Sequence, residues 1–168
     1  IISVDCYGNP SNKKKIKLIC KKYNLIFIED AAPGIGSKFK KKYCGTYGDA
    51  GVFSFQGAKP ITSGEGGALI TNRKDIYEKV NYYNDHCRVK NKTLLSSDIG
   101  YKYKMSNLQA ALLVTQLKQF NKIIGIRRNI FKNYQKYLKN KNLFFMNNQS
   151  KDVYNNYYLP SLVLKKTI

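Results

Sequence analysis

Acidic residues are scarce in this 168-residue chain: 10 Asp and Glu stand against 30 Lys and Arg, a formal net charge of +20. Long apolar runs are missing too, since none approaches the roughly 20 residues that a membrane-spanning helix needs. No charged-then-apolar leader opens the chain. Together these lead us to expect a soluble, cytoplasmic protein without a membrane partner. The four cysteines, Cys6, Cys20, Cys44 and Cys87, form no C-x-x-C pair, which argues against a zinc site or a disulfide framework and leaves reduced structural thiols. Internal repeats are absent. No initiating Met precedes Ile1, and the chain stops at Lys166-Thr167-Ile168 within strand-like sequence, so an internal piece of a longer protein is expected.

What is present suffices for a core. With 43% hydrophobic residues and 13% aromatics the chain is globular, of a size for one ordinary domain. The positive charge invites a polyanion partner. Yet the lysines are scattered (Lys13 to Lys15, Lys40 to Lys42, Lys90, Lys92, Lys118, Lys139, Lys165) and come with abundant Asn, Ile and Tyr, the mixture an A/T-rich coding sequence writes at tolerant surface positions. No basic helix or stacking-aromatic motif accompanies them, so nucleic acid is not the expected partner. Such a charge would still attract a diphosphate-bearing substrate.

Along the chain, Ile1 to Asp5 reads as the end of a buried strand, followed by a turn at Tyr7-Gly8-Asn9-Pro10. Ser11 or Asn12 can cap a helix over 12–22, with Ile16, Ile19, Cys20 and Tyr23 inward and the lysines toward water. Leu25-Ile26-Phe27-Ile28 suits a strand covered on both faces. It delivers Glu29-Asp30 at its carboxyl end, where open α/β sheets place their ligands. Glycines punctuate 34–51 before a strand at Val52 to Phe55, and Ala68 to Thr71 form another. Asn72 with Asp75 can cap a helix reaching about Tyr83. A helix over 106–120 turns Leu108, Ala111, Leu112, Thr115 and Leu117 to one side, and a second, after a break near Asn121, carries Ile123, Ile126, Ile130 and Tyr134. Tyr157 to Leu164 reads as a strand. The expected architecture is α/β: a mainly parallel sheet with flanking helices over 1–145, and the start of a second, smaller domain over 146–168.

Two residues carry the chemistry. Asp30 at a strand end and Lys59 in the tight Gly57-Ala58-Lys59-Pro60 turn can hold opposite ends of one flat ring. Removing a proton from an amine-bearing carbon needs an electron sink, such as a pyridine kept protonated by a carboxylate and attached through a lysine Schiff base. A lysine released from that bond can then shuttle the proton. Alone, an Asp and a Lys in so lysine-rich a chain read as surface residues; their placement argues otherwise. Ser54 and the loop around Thr62-Ser63-Gly64 offer hydroxyls and amides for a phosphate, although Ser54 reads equally well as an ordinary strand residue.

The blocks Ile28-Glu29-Asp30-Ala31-Ala32, Gly45-Thr46-Tyr47-Gly48-Asp49-Ala50-Gly51-Val52-Phe53-Ser54-Phe55, Lys59, Gly64-Glu65-Gly66-Gly67-Ala68 and Gly100-Tyr101-Lys102-Tyr103-Lys104-Met105-Ser106-Asn107-Leu108-Gln109-Ala110-Ala111 resemble the sugar aminotransferases of the DegT/DnrJ/EryC1/StrS family, perosamine-type synthases above all. So does Tyr7-Gly8-Asn9-Pro10, and the blocks follow the family's order over nearly the whole chain. The resemblance implies part of the large domain of a fold-type I enzyme that binds pyridoxal 5'-phosphate. It also implies a homodimer that transfers an amino group from glutamate to a nucleotide-linked keto sugar in polysaccharide biosynthesis. By position, Asp30 would pair with the pyridine nitrogen, Ser54 would bind the cofactor phosphate, and Lys59 would hold the cofactor covalently and act as the catalytic base. Dehydratase relatives carry His where Lys59 stands, so the lysine favours amino transfer.

Three positions depart from the family pattern. Pro33 stands where relatives place a side chain against the ring hydroxyl, and so removes that contact. Lys102 replaces an Asn that reaches the partner subunit's phosphate, and as a point charge it would still bind one. His86 falls near an Asn-His-Gly motif whose glycine is here Cys87, and we take it as structural. The family's upstream phosphate turn and ring-stacking aromatic, and most of its small domain, have no counterpart in this sequence, so the chain is not expected to assemble a whole site by itself. A degenerate family member kept as a dimer-forming subunit and a basic nucleic-acid-binding module are the competing expectations.

Overall fold

The computed structural model describes residues 1–92, 95–138 and 143–165. In chain order the elements are β1 (Ile2–Val4), α1 (Lys13–Lys22), β2 (Ile28–Asp30), β3 (Lys38–Phe39), β4 (Lys42–Tyr43), β5 (Ala50–Ser54) and β6 (Gly67–Thr71). There follow α2 (Lys74–Asn84), α3 (Asn107–Lys118), α4 (Phe120–Tyr137), β7 (Phe144–Met146), β8 (Val153–Tyr154) and β9 (Leu162–Leu164). The main sheet has the order β1-β2-β5-β6, parallel except for β6. The mainly parallel α/β architecture is therefore as expected. Small antiparallel sheets join β4-β3-β8 and β7-β9.

Local chemistry explains the helix starts. Asn12 caps α1 by accepting from the Lys15 N–H at 3.1 Å, and Ser106 with Gln109 forms a capping box at α3. At α2 the expected Asn72 cap is absent: Arg73 occupies the cap position, its N–H bonded to Thr71 Oγ1 at 3.0 Å and its guanidinium to Asp75. One core cluster gathers Cys20, Phe27, Phe39, Tyr47 and Val153 under α1. A second gathers Ile35, Phe55 and Ile61 against Met105, Leu113, Phe120 and Ile123 of the α3–α4 corner.

Burial departs from the periodicity in three places. Lys13, expected in water with its neighbours, is fully buried, while Ile19 and Tyr23 of the supposed inner face are exposed. β1 and the approach to β2 are covered on one face only, leaving Ile2 69% and Val4 44% exposed with Ser3 and Phe27 buried. On α3, Leu113 packs inward, whereas Leu108, Leu112 and Leu117 of the expected inner side face solvent. The strand expected over 157–164 is shortened to β9. Residues 155–157 instead form a buried strap between β8 and β9, and residues 166–168 lie outside the described residues.

Candidate active site

Register places the first site residues. Asp30 pairs with Val52 across parallel strands, so Asp30, Val52 and, two residues on, Ser54 share one face of the sheet. Asp30 and Ser54 are the last residues of β2 and β5, which puts both at the carboxyl edge, where open α/β sheets bind ligands. Both are partly buried. Asp30 Oδ1 accepts from the Ala32 N–H at 3.1 Å, and its other oxygen has no partner among the described residues. Ser54 Oγ accepts from the Gln56 N–H at 3.4 Å, so its hydroxyl proton stays available.

The chain then turns through Gln56 to Pro60, closed by the Lys59 N–H donating to Gln56 O at 2.9 Å. The Lys59 ammonium takes part in no hydrogen bond or ion pair among the described residues; it lies 5.0 Å from the Tyr158 ring centroid. Thr62 and Ser63 do not offer the free hydroxyls expected of them. Thr62 donates to Phe55 O at 2.9 Å and Ser63 to Glu65 O at 2.6 Å, so both shape the turn. A cavity of about 860 Å³ beside α2 is walled by Tyr77, Tyr82 and Arg88 but by none of Asp30, Ser54 and Lys59.

Behind Asp30, on the opposite face, a buried charge cluster fixes the strand ends. Lys13 pairs with Asp5 and with Glu29, 3.3 Å to Oε2, all with side chains fully buried. Glu29 also accepts the N–H groups of Gly45 (3.1 Å), Tyr47 and Gly48 (2.7 Å), tying that loop to β2. Gly51 is required here, since a Cβ would lie 2.0 Å from Gly45 O. The Asp5 N–H donates to Asp30 O at 3.0 Å. Burial raises the Asp5 pKa from its ordinary value, with Lys13 opposing. Burial, and then Asp5, push the Cys44 thiol up, so it is no nucleophile.

The departures resolve individually. Pro33 accepts from Asn156 Nδ2 at 2.9 Å, but Asn156 spends its other amide hydrogen on Ile35 O at 2.8 Å; it supplies no substitute for the missing side chain. Lys102 is exposed and bridges Asp85 through the backbone, bonding to none of Asp30, Ser54 and Lys59. His86 and Cys87 have φ of 58° and 51°, a left-handed conformation that explains a glycine preference at the second position. Among the described residues no cluster of His, Cys, Asp and Glu suits a metal ion.

Sequence reasoning missed Tyr158 and the Asp5–Lys13–Glu29 cluster. The one signal for the cluster was Glu29 itself, an acid next to Asp30 that lies on the opposite face of β2.

Known proteins resemble this chain over nearly its whole length. Residues 1–167 match the DegT/DnrJ/EryC1/StrS aminotransferase family. The chain is 37% identical over 165 residues to GDP-perosamine synthase of Escherichia coli O157:H7, covering 98% of this chain and 45% of that protein. It is 38% identical over 152 residues to the UDP-4-amino-4,6-dideoxy-N-acetyl-beta-L-altrosamine transaminase of Campylobacter jejuni, covering 89% and 40%. Among solved structures, Helicobacter pylori PseC, an aminotransferase involved in the biosynthesis of pseudoaminic acid, superposes with a TM-score of 0.92 at 28% identity, covering 99% and 45%. The chain thus spans less than half the length of these relatives.

Proposed function

The chain belongs to the DegT/DnrJ/EryC1/StrS aminotransferase family, and from that premise we propose that the protein holds pyridoxal 5'-phosphate on Lys59 and transfers an amino group to a keto carbon of a nucleotide-linked sugar. Glutamate is the proposed donor, and polysaccharide biosynthesis the proposed use. A charged nucleotide sugar does not cross a bilayer unaided, so the enzyme works in its substrate's compartment, and we propose that this is the cytoplasm. The proposed assembly is a homodimer, with residues from 146 onward opening a smaller domain. The observation that carries this is the shared sheet face: Asp30 and Ser54 lie on it at the carboxyl edge, with Lys59 on the turn that follows.

The residues fit the cofactor. Asp30 has an open carboxylate oxygen to hold a proton on a ring nitrogen, and its backbone is anchored by Asp5. Ser54 has an unspent hydroxyl to donate to a phosphate oxygen. Lys59 has an amine that no carboxylate among the described residues traps. When bound, pyridoxal phosphate supplies an aldehyde that takes up amines and a ring that withdraws electrons. Lys59 would be the base that takes the proton from the amine-bearing carbon of the donor and, in the second half of the reaction, the acid that delivers a proton to the sugar carbon being aminated. Borohydride treatment of the intact protein with pyridoxal phosphate is expected to fix the cofactor on Lys59 alone, and Lys59→Ala to abolish both labelling and transamination while the fold persists. Labelling of another lysine would remove Lys59 from this role.

A further inference from the structure

The strap that follows β8 touches both sides of the site. Asn156, fully buried, donates to Pro33 O and Ile35 O and takes the Ser37 hydroxyl as acceptor for its own N–H at 3.0 Å. It thereby grips the segment that leaves Asp30. Gly8 allows this approach, since a Cβ there would lie 1.9 Å from Asn156 Oδ1. Two residues on, the Tyr158 N–H donates to Asn156 Oδ1 at 2.7 Å and the Tyr158 carbonyl accepts from Arg127 at 3.3 Å. The backbone of Tyr158 is therefore held at two points, and its ring faces the Lys59 ammonium.

We infer that Tyr158 is a positioning residue for Lys59, its ring face holding the ammonium that the freed amine becomes once it has taken up a proton. The inference rests on the proposed role of Lys59. A lysine that leaves and rejoins a cofactor each cycle needs a resting place that does not trap it. A buried carboxylate would hold it tightly, whereas an aromatic face holds a cation only weakly. The ring neither gives nor takes a proton; the proton stays on the lysine amine until it is returned.

The test uses the full-length protein and the series Tyr158→Trp, Tyr158→Phe and Tyr158→Leu. Without cofactor, reductive methylation of Lys59 is followed by peptide mapping. Loss of the ring in the Leu variant is expected to speed it about threefold, with Phe near wild type and Trp slower, following ring strength. With cofactor, Leu is expected to lower kcat about tenfold with KM for the sugar unchanged, and Phe to restore it. Leu labelling and turning over like wild type overturns the inference, as does equal loss in Phe and Leu. Should the Leu variant not fold, Trp and Phe decide: Trp labelling at the Phe rate overturns it. Failure of borohydride to fix the cofactor on Lys59 in wild type is a separate result, which sinks the functional proposal while the labelling series still reports the ring contact.

Discussion

Lys13 is one cation enclosed with two carboxylates, Asp5 and Glu29, where no side chain of the three reaches solvent. Buried ion pairs add little over apolar residues of the same shape, but removing one partner leaves a stranded charge that costs about 3–5 kcal/mol. Lys13→Met is therefore expected to lower unfolding free energy by about that amount in urea titrations, and a loss under about 1 kcal/mol would mean that the cluster is not enclosed. Asp5 also gives stability a pH dependence of known sign. Its folded pKa is raised, first by burial, so between the ordinary value of about 4 and the raised one the folded chain binds more protons than the unfolded. Stability from this group accordingly falls as pH rises through that window. Asp5→Asn is expected to remove that slope, seen as a flatter dependence of the urea midpoint on pH. None of this was legible at the level of one helix. The spacing in α1 marks Lys13 as outward, and its partners stand on two other segments; a charge partner distant in sequence leaves no periodic trace.

At the scale of elements, the hairpin β3–β4 turns through Lys40 and Lys41, with φ of 45° and 68°, the left-handed pair of a type I′ turn. Glycine adopts that conformation without a Cβ clash, so Lys41→Gly is expected to raise stability by about 0.5–1 kcal/mol, read as a higher Tm. The strap depends on α4. Arg128 lies 3.8 Å over the Tyr154 ring, donates to Gln149 at 3.0 Å and to the Asn155 carbonyl, and Phe131 stacks on Tyr157 at 3.6 Å. Arg128→Ala is expected to speed hydrogen exchange at residues 155–158 by about tenfold or more, equal to about 1.4 kcal/mol, while the β1–β2–β5 amides hold. Uniform acceleration across the chain would show that the strap is not a separate unit. Helices α1 and α3 were legible as elements because their starts are set locally, but the face each one buries was not. The strap was not, since Asn155 and Asn156 are buried by bonds to Ser37, Pro33 and neighbouring backbone, and polar residues that find partners far away read as loop in a sequence.

Across the whole molecule, the order of the motif blocks made the fold and the Asp30–Ser54–Lys59 edge legible, because each block is a turn or strand end whose chemistry is local. What the sequence could not convey is which surfaces remain open. In α3 Leu108 is 82% exposed, with Leu112, Val114 and Leu117 exposed beside it, and a helix apolar on several sides is buried in a stable fold, so we propose that this face is covered in the intact protein. Lys102 is exposed, and its side chain is uncommitted among the described residues. In the proposed dimer it serves the partner's site, so Lys102→Glu is expected to weaken cofactor binding by setting a carboxylate against a phosphate. Mixing separates a shared site from a self-contained one. Lys59→Ala and Lys102→Glu proteins are each expected to be nearly inactive. If Lys102 acts across the interface, each mixed dimer combines the intact Lys59 of one subunit with the intact Lys102 of the other, leaving one complete site of two. Random exchange makes half the dimers mixed, so activity should recover to about one quarter of wild type. If Lys102 serves its own subunit, both sites of the mixed dimer are broken and exchange restores nothing. Recovery on mixing, measured after subunit exchange has been verified by native mass spectrometry, therefore decides whether the site is built by one chain or two.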